Sequence, residues 1–109
     1  MVIINDLTFS YSKKQQPLFQ NLACELQSGS IVGLLGKNGS GKTTLLKLMI
    51  GLLRPVDGKV RILDHQPAER QPSLLQDIYF VPEEFHHPSI SIKNYVKANA
   101  GFYPRFDDV

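Results

Sequence analysis

The chain has 109 residues, 42% hydrophobic and 20% charged, with a formal net charge of +2. That is the balance of one ordinary globular domain with material for a core, and so mild a charge without a dense Lys/Arg run argues against a nucleic-acid partner. A single cysteine, Cys24, excludes an internal disulfide; no secretory leader is evident, and no apolar stretch approaches the ~20 residues that span a bilayer.

Residues 2–11 read as a strand, with Val2, Ile3 and Ile4 followed by Leu7, Phe9 and Tyr11 in alternation. The polar run Ser12 to Pro17 reads as a turn. Leu18 to Leu26 is a second strand, and the short link makes the pair antiparallel. Cys24 falls in that strand as an apolar residue. Ser28-Gly29-Ser30 turns the chain into Ile31-Val32-Gly33-Leu34-Leu35, an apolar run of the kind a buried parallel strand requires.

Gly36-Lys37-Asn38-Gly39-Ser40-Gly41-Lys42-Thr43 follows, and fits Gly-x-x-x-x-Gly-Lys-Thr, the phosphate-binding loop of P-loop nucleotide triphosphatases. Gly36, Gly39 and Gly41 allow positive φ and close approach of backbone to phosphate. Successive N–H groups then form an anion nest, extended by the N-terminus of the following helix. Lys42 brings a compact charge to the β- and γ-phosphates, and the Thr43 hydroxyl is an oxygen ligand for Mg²⁺. Leu45, Leu48, Met49 and Leu52 recur at helical spacing, with Leu46 and Leu53 widening the face. Gly51 serves as C-cap and Pro55 forbids continuation.

Val56-Asp57-Gly58 reads as a turn and Lys59 to Leu63 as a strand with one polar face. Residues 65–72 read as a loop or short irregular helix. Ile78 to Val81 is β-rich and closes at Pro82; residues 83–89 form a loop. Ser91 caps a helix over 92–100, although Asn94 stands where a capping box prefers Glu or Gln, and Gly101 ends it. His65, His86 and His87 lack a second cluster at ligand spacing and read as surface-loop residues rather than metal ligands. Arg61 interrupts the run before Asp64 and no Glu follows, so that strand is not a Walker B strand.

In this order the motifs resemble the first part of an ATP-binding cassette, the ATPase subunit of ABC transporters. The resemblance is carried by Phe9-Ser10-Tyr11, by the loop 36–44 including Thr44, by Gly51-Leu52-Leu53-Arg54-Pro55-Val56-Asp57-Gly58, and by Ile78-Tyr79-Phe80-Val81-Pro82-Glu83 at the place of the Q-loop. It implies an α/β fold: a RecA-like P-loop core with an N-terminal antiparallel β-subdomain, cut before the helical subdomain. Residues 1–30 would be mostly antiparallel β and 31–64 the P-loop strand, helix and following strand. Residues 65–90 would hold the Q-loop region, and 91–109 the start of the helical subdomain.

The resemblance implies ATP with Mg²⁺, held by Gly36, Lys37, Asn38, Gly39, Ser40, Gly41, Lys42, Thr43 and Thr44. Tyr11, 25 residues before Gly36, stands where the family places its adenine-stacking aromatic. Glu83 replaces the family's Gln, which contacts the metal and the attacking water; Glu keeps an oxygen ligand but adds negative charge, and Glu84 competes for the role. The implied partners are a transmembrane permease subunit or domain and a second nucleotide-binding subunit, with the chain on the cytoplasmic face of the membrane.

No Gly-Gly pair and no apolar run ending in Asp-Glu occurs, so the family's signature segment, Walker B strand and general base are missing from these residues, as is its switch histidine. No catalytic set is complete, and little or no turnover is expected of the chain alone. Nucleotide binding without turnover is therefore an alternative, as is a small-molecule kinase, although such kinases place the loop nearer the N-terminus. A guanine motif Asn-Lys-x-Asp is absent. Without flanking strands, residues 31–35 would expose unpaired backbone and apolar surface, so the chain is expected to be poorly soluble, to oligomerise by strand exchange, or to be part of a longer protein.

Overall fold

The strand β1 (Val2–Phe9) lies at the centre of a three-stranded antiparallel sheet, between β2 (Phe19–Leu26) and β3 (Asp57–Ile62). The computed structural model describes residues 1–83 and 89–106. Glu84, His86, His87 and the chain end from residue 107 lie outside the described residues. The chain divides into two compact units, Met1–Gln71 and Pro72–Val109.

In the first unit β1 does not alternate cleanly. Ile4 and Leu7 are three apart, so a regular strand would point them to opposite faces. Both are buried, because Asp6 adopts φ +48° and inserts an extra residue: Ile4 pairs with Cys24 but Leu7 with Leu22. This is a β-bulge, at a residue type that tolerates the left-handed region. A second bulge at Asn21, φ +51°, lies between the pairs Leu7–Leu22 and Phe9–Phe19. With these two corrections Ile4, Leu7 and Phe9 share one core with Val60 of β3.

The helix α1 (Lys42–Met49) closes that core. Leu48 is fully buried in the cluster, and Leu45, Met49 and Leu53 pack against it. Leu46 and Leu52 are exposed, so the apolar face is narrower than the leucine pattern predicts. The helix ends in a Schellman motif: Leu52 N–H donates to Lys47 O at 2.9 Å and Gly51 N–H to Leu48 O at 3.3 Å. Gly51 takes φ +81°, and a Cβ there would lie 2.0 Å from the Pro67 carbonyl oxygen, so only glycine fits. Pro67 begins a short 3-10 turn, Pro67–Glu69, in the polar stretch after β3.

Residues 31–37 form no strand. The expected run Ile31 to Leu35 has no partner strand among the described residues, and Ile31 and Leu35 are 102% and 94% exposed. A parallel strand gains its hydrogen bonds only from neighbours, and an apolar sequence does not substitute for them. Asp57 and Gly58, expected in a turn, already belong to β3.

In the second unit, α2 (Pro72–Leu75) is a single turn, and α3 (Ile92–Ala100) is the longest helix described. Ser91 caps α3 as expected, its Oγ accepting from Asn94 N–H at 3.2 Å. Gly101 follows in right-handed conformation. Residues 78–81 form no strand; Tyr79 instead shares a hydrogen bond with the Tyr95 hydroxyl at 3.1 Å and packs edge-on to Tyr103. These three tyrosines and Phe106 line a cavity of about 510 Å³, at whose edge Arg105 pairs with Asp77.

Candidate functional site

The loop 36–41 feeds directly into α1, and its conformation is set by its glycines. Gly39 has φ +81° and Gly41 φ +102°, both in the region that disfavours a side chain. Gly36 is not left-handed, and a Cβ there would lie 2.7 Å from Ser40 Oγ, the end of a side chain that can turn away. Gly41 is crowded as well as left-handed, since its Cβ would meet Phe19 Cζ at 2.9 Å and Leu18 Cδ2 at 3.0 Å. The start of β2 thus walls the loop. The sequence carries no sign of this, since these contacts join residues more than twenty positions apart.

Gly41 is also the N-cap of α1, and it has no side chain to accept from the first turn. Helices are ordinarily capped there by Ser, Thr, Asp or Asn. Ser40 N–H closes the turn onto Lys37 O at 3.1 Å. Among the described residues the amides of Gly39, Gly41, Lys42 and Thr43 have no hydrogen-bond partner. Lys42 Nζ donates to Gly36 O and, at 3.4 Å, to Lys37 O, which holds its charge over the loop. No acidic residue lies in the first turn of α1. Backbone donors, the positive helix end and one ammonium therefore converge, an arrangement that favours an anion with several oxygens. Loop and donors fit a triphosphate, and the left-handed conformations of Gly39 and Gly41 keep side chains out of the cradle.

Thr43 is exposed, while Thr44 is buried inward at 7% exposure. The Thr44 Oγ1 shares a 2.5 Å hydrogen bond with the Tyr11 hydroxyl. Tyr11 follows β1, its ring 61% exposed and edge-on to Phe9 at 4.9 Å. The structure therefore brings Tyr11 to the first turn of the helix that leaves the phosphate loop. Glu83 is exposed in a bend of the second unit, and Glu84 lies outside the described residues. His65 Nδ1 pairs with Gln71 Oε1 at 2.9 Å on the first unit's surface. Asp64 occupies a left-handed turn, φ +64°, after an antiparallel strand.

The glycine loop, the uncapped helix and the sheet beneath them define an α/β chain of the P-loop type. A family model described as ABC transporter matches residues 19–103, and the chain belongs to that family. A Chlamydia trachomatis protein named "Probable metal transport system ATP-binding protein" is 35% identical over 79% of this chain and 34% of its own length. The molybdate import ATP-binding protein MolC of Haemophilus influenzae is 38% identical over 78% of this chain and 28% of its own. Among solved structures, one titled as the ATP binding subunit of an ABC transporter superposes with a TM-score of 0.82. It covers 97% of this chain and 44% of that one at 23% identity, a likeness of fold. A Pyrococcus furiosus chain titled "Putative ABC transporter (ATP-binding protein)" superposes with a TM-score of 0.77 at 32% identity, covering 94% of this chain and 48% of that one. The chain spans about a third of the length of the first of these curated relatives.

Proposed function

We propose that this chain is the triphosphate-holding part of an ABC transporter ATPase subunit. The observation that carries this is the loop 36–43: left-handed Gly39 and Gly41, unpaired amides running into an uncapped helix, and Lys42 held across its mouth. Gly36, Lys37, Asn38, Gly39, Ser40, Gly41, Lys42, Thr43 and Thr44 would cradle ATP. The exposed Thr43 hydroxyl would be a Mg²⁺ ligand, with Glu83 as a second oxygen donor. The Tyr11 ring would stack on adenine, worth ~1–3 kcal/mol for one base on one aromatic. Mg²⁺ would supply charge neutralisation between the phosphates.

Calorimetric titration with ATP and Mg²⁺ tests the cradle. Lys42→Ala should weaken binding by at least about tenfold, which is ~1.4 kcal/mol; unchanged binding would refute it. For the metal, Mg²⁺-dependent ATP affinity is compared in Glu83→Gln and Glu83→Ala. Identical affinities in the two variants would remove Glu83 from the metal site.

Transport relatives motivate the rest of the proposal: a membrane permease and a second ATP-binding subunit as partners, and a place on the cytoplasmic face of the membrane. Among the described residues no helix is long and apolar enough to cross a membrane. The family as a whole hydrolyses ATP. A second reading, nucleotide binding with little or no turnover by this chain alone, is favoured by one observation. The sequence holds no Gly-Gly pair and no Asp-Glu strand end to activate water. Phosphate release measured beside binding separates the two, since binding without release supports the second.

A further inference from the structure

We propose that Tyr11 is a positioning residue for the phosphate-loop helix, acting through its hydroxyl on Thr44. The inference rests on the proposed triphosphate cradle and adds to it a link that ties the cradle to β1.

Thr44 is the one buried polar side chain among the described residues. Its hydroxyl finds its partner 33 positions away, in the phenol of an exposed tyrosine, at 2.5 Å. An O–H···O contact of that length is at the short end of the normal range. A buried hydroxyl must be satisfied, and a helical threonine can otherwise turn onto its own preceding carbonyl and bend the first turn. Tyr11 supplies the other answer. It holds Thr44 toward the loop after β1 and leaves the turn that carries Lys42 and Thr43 to run straight from Gly41.

Tyr11 can do this because its own position is fixed. Its ring stands edge-on to Phe9 at an interplanar angle of 83°, and Phe9 is only 5% exposed. Leu18 N–H donates to Phe9 O at 2.7 Å, which closes the loop that carries Tyr11. Leu18 also walls Gly41. The sequence Phe9, Tyr11, Thr44 thus runs from the sheet core to the first turn of α1. A preorganised turn aims its donors before an anion arrives, and so lowers the cost of binding.

The test uses tripolyphosphate beside ATP on the full chain with Mg²⁺. Tripolyphosphate has no base, so any loss of its affinity cannot come from stacking. Tyr11→Phe keeps the ring and removes the hydroxyl; it should weaken tripolyphosphate and ATP alike, by about three- to tenfold. Thr44→Val should do the same, and the double variant should be no weaker than either single one. Thr44→Ser keeps a hydroxyl and should recover most of the affinity that Thr44→Val loses. Should Thr44→Val fail to fold, the Tyr11→Phe titration decides alone. Tripolyphosphate affinity unchanged in Tyr11→Phe, or fully additive losses in the double variant, would overturn the positioning role and leave the cradle intact. A parent chain that binds neither ligand would overturn the cradle itself.

Discussion

Gly58 lies so close to Asp6 that a Cβ on it would stand 2.3 Å from the Asp6 carbonyl oxygen. The bulge at Asp6 turns Ile4 and Leu7 to one face, and the same bulge presses its carbonyl onto β3. Gly58, at φ +82°, is the residue that yields. Gly58→Ala would meet both the clash and the backbone strain, and should cost at least about 2 kcal/mol. The urea midpoint of the chain reads it. Asp6→Gly, which suits the same left-handed conformation, should change that midpoint little, and a large loss there would show that the bulge does not tie the two strands.

Leu48 is 1% exposed and is the fully buried residue by which α1 joins the sheet core. Leu48→Ala should destabilise by ~2–5 kcal/mol through lost burial and the cavity left behind. Because α1 begins in the phosphate loop, ATP affinity should fall together with the urea midpoint. Leu46→Ala, at an exposed position of the same helix, should leave both nearly unchanged.

These two predictions show which parts of the molecule are legible in the sequence. The glycine spacing of the loop, the helix after it and the Ser91 cap are local signals, and each sits where its residues place it. The antiparallel pairing of β1 and β2 follows from the short polar link between them. Long-range contacts are another matter. Nothing in the sequence marks Leu18 and Phe19 as the wall of Gly41, or Thr44 as the partner of the Tyr11 hydroxyl. The bulges at Asp6 and Asn21 are invisible because Asp and Asn suit turns and strands' irregular points alike. Residues 31–35 mislead for a different reason. Their composition states what a strand there would bury, whereas strand formation depends on neighbours that no described residue supplies.

That exposed run has its own consequence. Ile31, Val32, Leu34 and Leu35 present apolar side chains beside backbone groups with no strand partner. Such an edge invites pairing with another chain. The chain should self-associate in sedimentation measurements, and Ile31→Lys with Leu35→Lys should shift it toward monomer. An unsubstituted chain that stays monomeric and unfolds cooperatively would contradict this.

Ser91 supplies the side-chain cap of α3, a helix of only 9 residues with no buried member. So short a helix depends on its ends. Ser91→Ala should cost α3 about 1 kcal/mol, and Ser91→Asp should preserve it. Amide hydrogen exchange over residues 92–100 reads the difference: faster in Ser91→Ala, unchanged in Ser91→Asp.

The Tyr95 phenol is held above its ordinary value of 10.0, chiefly by its hydrogen bond with Tyr79, then by desolvation and by the charges Tyr79 and Tyr103 would carry. The folded unit therefore binds this proton more tightly than the unfolded chain does. Its contribution to stability is complete below pH 10 and is lost as pH rises through the raised value. Alkaline titration followed by tyrosinate absorbance should show a late-titrating phenol that Tyr95→Phe removes. Hydrogen exchange of α3 should accelerate above pH 10 beyond the chemical rate in the parent, and less so in Tyr95→Phe. An identical pH response in the two would mean that the Tyr79–Tyr95 bond contributes nothing to holding α3 in place.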